Sequence, residues 1–348
     1  MCLPAEKKQG VWILSGHGRY IQLFMKVVLV LVLLVCWLWG GAALFLAGPE
    51  PHWLRVVLVC VFGAFLPGCL IFVRLFHRAF FLSCCVIIPL LFWWQTLVPS
   101  NDKNWAADVA QISNGSILGD DLVMHNVRNF IYVDENTPVE RWVTRSYDLD
   151  KLQGLDLFIS YWASEHIAHT ILSWDFGEDG HLAISIETRK DTTQEYSAVK
   201  GFFKQFTLSY VAADETDIIK LRTNYRKERV YLYQLLATKK DARALLETYL
   251  DEMNLLVNEP KFYNALTRNC TTTIRIHGNA ARTDAPPPFD WRIIMSGHVD
   301  ELLYDRKAID QSIPFVTLRE SSRVDLEMQK YKGSEFSKAM REIKNQSK

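Results

Sequence analysis

Neither sign of charge prevails in this chain, whose 348 residues carry 39 lysines and arginines against 39 aspartates and glutamates. A net formal charge of zero supplies no whole-chain reason to bind nucleic acid or any other polyanion. Charge is also sparse from Val27 to Val98 and dense afterwards, so two different materials join near Pro99. Cysteine is scarce in the opposite region. Cys2 lies in the leader, and Cys36, Cys60, Cys69, Cys84 and Cys85 lie in or beside the apolar runs, which leaves Cys270 alone after Pro99. No internal repeat is visible. Cys270, His277 and His166 have no recognised metal-ligand spacing, and the sequence predicts neither a metal nor a cofactor.

What is abundant is apolar length. Val27 to Gly48 holds no ionisable side chain except Cys36, about the ~20 residues a helix needs to cross the hydrocarbon core. Leu54 to Leu75 and Ala79 to Val98 follow, and Pro67 and Pro89 inside them are tolerated as kinks where neighbours satisfy the freed carbonyls. The first run exceeds the ~7–15 apolar residues of a cleaved signal, and two more runs follow it, which favours three spans. Lys7, Lys8, Arg19 and Lys26 mark the leader 1–26, and Arg74 and Arg78 the second connection, as cytoplasmic, against Arg55 with Glu50 in the first connection. With a membrane region at 27–98, the chain after Pro99 then emerges on the far side. Trp93, Trp94 and Trp105 fit an interfacial belt, and Trp105 fits packing within the domain equally well.

Residues 99–121 read as a polar linker, 122–310 as a soluble domain and 311–348 as a charged, solvated tail. Alternation at Val123, His125, Val127, Phe130 and Tyr132 predicts a strand, as does the run Leu155 to Trp162. Ala168 to Trp174 and His181 to Arg189 flank Gly177-Glu178-Asp179-Gly180 and form a hairpin. His169 shares a face with Ile171 and Ser173. A turn centred on Glu178 and Asp179 sets Glu187 and Thr188 across from Thr170 and His169, so a carboxylate approaches the imidazole if the register holds. Phe206 to Val211 and Ile218 to Leu236 add strands around a charged turn at 224–228, completing an antiparallel sheet.

The period then changes. Leu245, Leu246, Tyr249, Leu250, Met253, Leu256 and Val257 predict an amphipathic helix stopped near Pro260. Asn269 is a good N-cap, which puts Cys270 at the first position of a helix reaching about Ile276, with Gly278 as its stop. The helix dipole favours thiolate there, and the lone thiol reads as a nucleophile in preference to a small buried hydrophobe. Thr271, Thr272 and Thr273 are poor helix formers, which points to hydrogen bonding around the site. With Asn269, Thr271 and Thr272 are its shaping residues, and backbone amides at the helix start are candidate oxyanion donors. His169 is the proton partner and Glu187 the third polar group. Arg189, Tyr210 and Asn224 are candidates for contacting a substrate headgroup, alongside structural roles. His166 points away from His169 on an extended strand, and His181 and His298 read as surface residues. His277 reads as a side chain near a helix C-terminus. A helix at 293–304 follows the loop Pro286-Pro287-Pro288.

Four segments together resemble the Lnb-type N-terminal periplasmic domain family. They are Ile167-Ala168-His169-Thr170-Ile171-Leu172, Ser185-Ile186-Glu187-Thr188-Arg189, Leu221-Arg222-Thr223-Asn224, and Tyr263-Asn264-Ala265-Leu266-Thr267-Arg268-Asn269-Cys270-Thr271-Thr272. The resemblance covers roughly residues 100 to 310. Members often carry Phe-Gly before the histidine, where this chain has Ile167-Ala168. The resemblance implies an α+β, permuted papain-like domain with an antiparallel sheet and its nucleophile at a helix N-terminus, behind three transmembrane helices of the bacterial inner membrane and facing the periplasm. It implies Cys270 as the nucleophile and His169 as its partner. Because the family includes a lipoprotein N-acyltransferase, it also implies acyl transfer or acyl hydrolysis on a membrane lipid or lipoprotein. A cysteine peptidase or amidase acting on cell-wall peptides would use the same dyad. A non-catalytic envelope binding or scaffold protein would need neither residue.

Overall fold

The computed structural model describes residues 10–72, 76–162 and 164–346. Cys2, Lys7, Lys8, Arg74 and Leu75 lie outside the described residues. The chain divides after Val98 into two units, at the boundary where its composition changes.

The first unit comprises α1 (Gly10–Ala47), α2 (His52–Phe72) and α3 (Phe76–Thr96). Each contains a window long and apolar enough to cross a membrane: Tyr20–Ala47, His52–Cys69 and His77–Thr96. Helix α1 starts at Gly10, so part of the expected leader is helical. Pro67 and Pro89 lie inside α2 and α3. The helices meet through Leu33, Trp37, Phe62, Ile87 and Leu90, with Trp37 stacked on Phe62 at a 4.0 Å centroid distance. Gly40 permits that approach, since a Cβ there would sit 2.6 Å from Leu90 and 2.7 Å from Phe62. Outward faces expose Leu31, Val35, Leu38, Phe81 and Phe92, a surface suited to hydrocarbon rather than water.

The second unit is a sheet covered on both faces. Its strands are β1 (Asn114–Leu118), β2 (Asp121–Arg128), β3 (Ile131–Asp134), β4 (Thr137–Val139), β5 (Trp142–Asp148), β6 (Gly154–Tyr161), β7 (Ala168–Asp175), β8 (His181–Arg189), β9 (Thr207–Ala213) and β10 (Arg229–Gln234). The main order is β1-β2-β9-β8-β7-β6-β10, with β5 also on β2 and β3–β4 forming a separate pair. All ladders are antiparallel except a single parallel bridge, Arg128 to Ala213. The helices are α4 (Ala198–Phe202), α5 (Glu215–Lys220), α6 (Lys239–Asn258), α7 (Cys270–Ala280), α8 (Val299–Asp305), α9 (Phe315–Ser321), α10 (Asp325–Met328) and α11 (Phe336–Gln346). The α+β class and the antiparallel-rich sheet therefore stand as expected.

Strand alternation builds two cores. Leu155, Leu157, Leu172, Trp174, Ile184 and Tyr210 face the apolar side of α6, which contributes Leu246, Tyr249, Leu250 and Met253. Phe158, Ile171, Ala183, Val211 and Leu232 face the other way, against Ile218, Ile219, Met328, Phe336 and Met340.

Four expectations need correction. Residues 114–118 are an edge strand, not linker, and Asn101 already donates to the Leu256 carbonyl at 2.8 Å. Residues 215–225 form α5 and a π-type turn, Leu221–Tyr225, instead of strand; Asp214 and the acidic first turn of α5 favour a helix start. Helix α7 continues through Gly278 to Ala280, because the glycine is tolerated at a cost of about 1 kcal/mol in a helix otherwise held by packing. The C-terminal tail is not solvated. Phe336 and Met340 cover the second core, and Arg341 binds Asp156 at 2.6 Å and Glu215 at 2.8 Å, both buried. Trp105 is held within this unit, its indole donating to the Asn101 carbonyl while the Arg189 guanidinium lies 4.3 Å above its ring.

Candidate functional site

The site lies where a ladder ends. Strands β7 and β8 pair from Asp175–His181 to Ile171–Ser185. Beyond that, Ala168 to Thr170 stay paired only to β6, while Ile186 to Arg189 stay paired to β9. Extending the β7–β8 register by two residues sets His169 opposite Glu187. The sequence expectation, which set His169 across from Thr188, was one residue out. The true register puts imidazole and carboxylate on one side, with His169 Nε2 3.3 Å from Glu187 Oε1.

Ser185 sits between them and gives the contact a direction. Its hydroxyl donates to Glu187 Oε1 at 2.7 Å, because a carboxylate can only accept. Its oxygen then accepts from His169 Nε2, 2.6 Å away. Nε2 therefore carries a proton, and in the neutral ring Nδ1 is the nitrogen left free to exchange one. Arg222 completes the array by donating to the same Glu187 oxygen at 3.0 Å.

Helix α7 brings the thiol. Asn269 accepts from the Thr272 amide at 2.9 Å, and the Thr272 hydroxyl accepts from the Asn269 amide at 3.0 Å, a reciprocal capping box. This accounts for one of the three threonines. The Thr271 hydroxyl is 3.3 Å from that of Thr170 and 3.8 Å from Cys270 Sγ. Cys270 is the first helical residue and is buried.

Thiol and imidazole act on each other electrostatically, and each shifts the other. Burial pushes the Cys270 thiol up, but the His169 charge, its hydrogen bond and those from Thr170 outweigh it and bring the thiol down to about 6. Burial pushes His169 down, but Glu187 and the Cys270 thiolate raise it to about 9. Glu187 is pushed up by burial and held well below the usual carboxylate range by His169, Arg222 and Ser185. Between the first two values the pair is thiolate and imidazolium, which is the state in which a cysteine attacks and its partner holds the proton.

Not every candidate converges. Arg189 is buried and donates to the carbonyls of Val109 and Ala110 at 2.9 and 2.7 Å and to Asn101 Oδ1 at 3.0 Å, so it ties the incoming chain to the sheet. Tyr210 is buried and its hydroxyl meets His277 Nε2 at 2.6 Å, while burial pushes that imidazole down to about 4. Asn224 donates to the Met328 carbonyl at 2.9 Å, fastening the π-type turn to α10. All three hold structure. His166 and His298, 2.9 Å apart with stacked rings, form a pair of their own away from His169. Among the described residues no group of three or more His, Cys, Asp or Glu side chains could hold a metal ion.

Ser185 and Arg222 lie in segments that carry the family resemblance, which implies no role for either. The signal for Ser185 was available, since it alternates with Glu187 on the β8 face. Arg222 carried no such signal.

Fold and site together define an α+β domain behind three apolar helices, with a cysteine, a histidine and a carboxylate gathered at a parted ladder. Residues 139–297 match the model of the Lnb N-terminal periplasmic domain family, a segment that contains Cys270, His169, Glu187, Ser185 and Arg222. Together with the three helices apolar and long enough to cross a membrane, that match is consistent with a membrane-anchored protein whose domain faces the periplasm. No curated protein and no solved structure matches the chain.

Proposed function

We propose that the protein is a periplasm-facing, cysteine-dependent acyl-transfer or acyl-hydrolysis enzyme whose nucleophile is Cys270. The observation that supports this most is the placement of Cys270 at the first position of α7 beside the His169–Ser185–Glu187–Arg222 array, with thiol and imidazole each favouring the charged form of the other. A thiol kept only as a buried hydrophobe would be pushed up by burial, with no polar array aligned on it. A domain following directly on three spans suits a lipid or lipoprotein substrate.

The thiolate of Cys270 attacks the carbonyl carbon of an ester or amide. The C=O electron pair moves to oxygen, where amides of the first turn of α7 are the available donors. As the tetrahedral adduct collapses, His169 gives its proton to the departing alcohol or amine, leaving an acyl thioester on Cys270. An incoming amine or water then loses a proton to His169 and displaces the thiolate. Through Ser185, Glu187 holds the ring in one orientation and one tautomer.

The test is intact-mass and peptide mass spectrometry of the full-length, detergent-solubilised protein after exposure to native membranes. A hydroxylamine-sensitive acyl adduct on Cys270, absent from His169→Ala, is expected. Cleavage of purified muropeptides without any acyl adduct would favour a peptidase instead. Retention of wild-type cellular function by both Cys270→Ala and His169→Ala would end both enzymatic readings.

A further inference from the structure

Arg222 belongs to neither the thiol nor the imidazole, yet it is one of the most buried charges in the unit, at 5 % exposure. It sits in the π-type turn Leu221–Tyr225, where the Arg226 amide reaches back five residues to the Leu221 carbonyl at 2.9 Å. Such single wide turns recur at functional sites because the extra residue redirects side chains. The turn is pinned from outside by Asn224, which donates to the Met328 carbonyl. Arg222 itself donates to the Ile218 carbonyl at 3.0 Å and to Glu187 Oε1 at 3.0 Å, and lies 3.9 Å from Glu228 Oε2.

One oxygen of Glu187 thus faces three groups: Arg222, the Ser185 hydroxyl and His169 Nε2. An ionised carboxylate beside an imidazole does two things. It orients the ring, and its full charge also tightens the ring's hold on the proton. A catalytic base needs the first, and an excess of the second would prevent it from returning the proton. A guanidinium on the same oxygen keeps Glu187 an acceptor while offsetting its charge.

We propose that Arg222 is a positioning residue that neutralises Glu187 within the Arg222–Glu187–Ser185–His169 array, so that the carboxylate aims the imidazole without locking the proton onto it. The other titratable groups facing the array are Cys270 from α7, Tyr196 and Tyr263 beside the thiol, and Glu228 beyond Arg222. Of these only Glu228 would oppose the guanidinium directly, and its carboxylate also accepts from the Ser160 hydroxyl. The inference concerns the same thiol site as the proposed enzyme, but its test reads proton affinity and does not require turnover.

The experiment measures the rate of Cys270 alkylation by iodoacetate against pH in the full-length protein, with folding checked by cooperative thermal unfolding. An anionic reagent is drawn to the imidazolium, so the alkaline fall in rate reports His169 losing its proton. Arg222→Gln should move that limb upward by about one pH unit, the shift expected when a nearby compensating charge is lost. If Arg222→Gln does not fold, two further variants decide. Glu187→Gln alone leaves an unopposed guanidinium near the ring, so its alkaline limb should lie below that of Glu187→Gln with Arg222→Gln. A folded Arg222→Gln protein with an unmoved limb, or coincident limbs in the single and double variants, would overturn the proposal. A shifted limb in a protein that never forms a thioester would leave Arg222 as assigned and remove the acyl-enzyme reading; a thioester with an unshifted limb would do the reverse.

Discussion

Replacing His169 by asparagine removes the one group that both charges and hydrogen-bonds Cys270 while keeping a polar side chain of similar reach. Without the imidazolium, burial pushes the thiol up and only the contribution of Thr170 opposes it. The thiol should return to its ordinary value of 9.0 or above, from about 6. At pH 7.5 a thiol titrating near 6 is almost wholly thiolate, whereas one near 9 is about 3 % thiolate. The rate of alkylation by neutral iodoacetamide should therefore fall about 30-fold at that pH, with the inflection of the rate profile moving up by about three units. The assay needs no substrate, since peptide mass spectrometry of the 263–275 region counts modified Cys270 directly. An inflection that stays near 6 in His169→Asn would mean that the helix start alone sets the thiol, and the dyad would then have no chemical basis.

Other consequences concern stability. Arg341→Ala removes the guanidinium that the buried carboxylates of Asp156 and Glu215 share; a loss of about 3–5 kcal/mol is expected in urea unfolding, with early proteolysis after residue 325. Glu215 itself is pushed up by burial and brought down to about 2 by Arg341, His181 and Ser173. Its folded value lies below its ordinary 4.5, so the stability it contributes is present above that value and lost as pH falls towards 2. Glu215→Gln should flatten the acid limb of the stability curve in that window. Asn269→Ala removes the cap of α7 and should cost about 1 kcal/mol, read in thermal unfolding. A Cβ at Gly297 would lie 2.1 Å from the Glu165 carbonyl oxygen, so Gly297→Ala must displace the segment leading into β7 and should cost about 1–3 kcal/mol.

What the sequence could and could not reveal follows the range of the interactions. The three apolar helices, the hairpin carrying His169 and the cap at Asn269 depend on residues within a few positions of each other, and each was legible. The hairpin register missed by one residue because Gly177 and Gly180 both adopt positive φ, 61° and 91°, around a 3-10 turn, a loop shape that glycine spacing does not specify. Residues 218–225 depart from the expected strand for a related reason. Ile218 and Ile219 are apolar and β-branched enough to pass for a strand, and only their packing against the second core, whose other half comes from residues 324–340, makes a helix the better burial.

The same long-range dependence explains why the tail is docked although its sequence predicts a solvated element. Its charges looked like surface charges because their partners, Asp156 and Glu215, lie far back in the chain. A charged helix with one strongly apolar stripe buries that stripe when a sheet face is uncovered, and β6, β7 and β9 leave such a face. The tail therefore completes the core under the strands that carry the site, and through Met328 it also fastens the turn bearing Arg222. Residues that never approach Cys270 thus help hold the array aimed at it, so undocking the tail with Arg341→Ala should disturb the pH profile of Cys270 alkylation as well as stability. A tail that merely shielded apolar surface would lower the unfolding midpoint and leave that profile where it was.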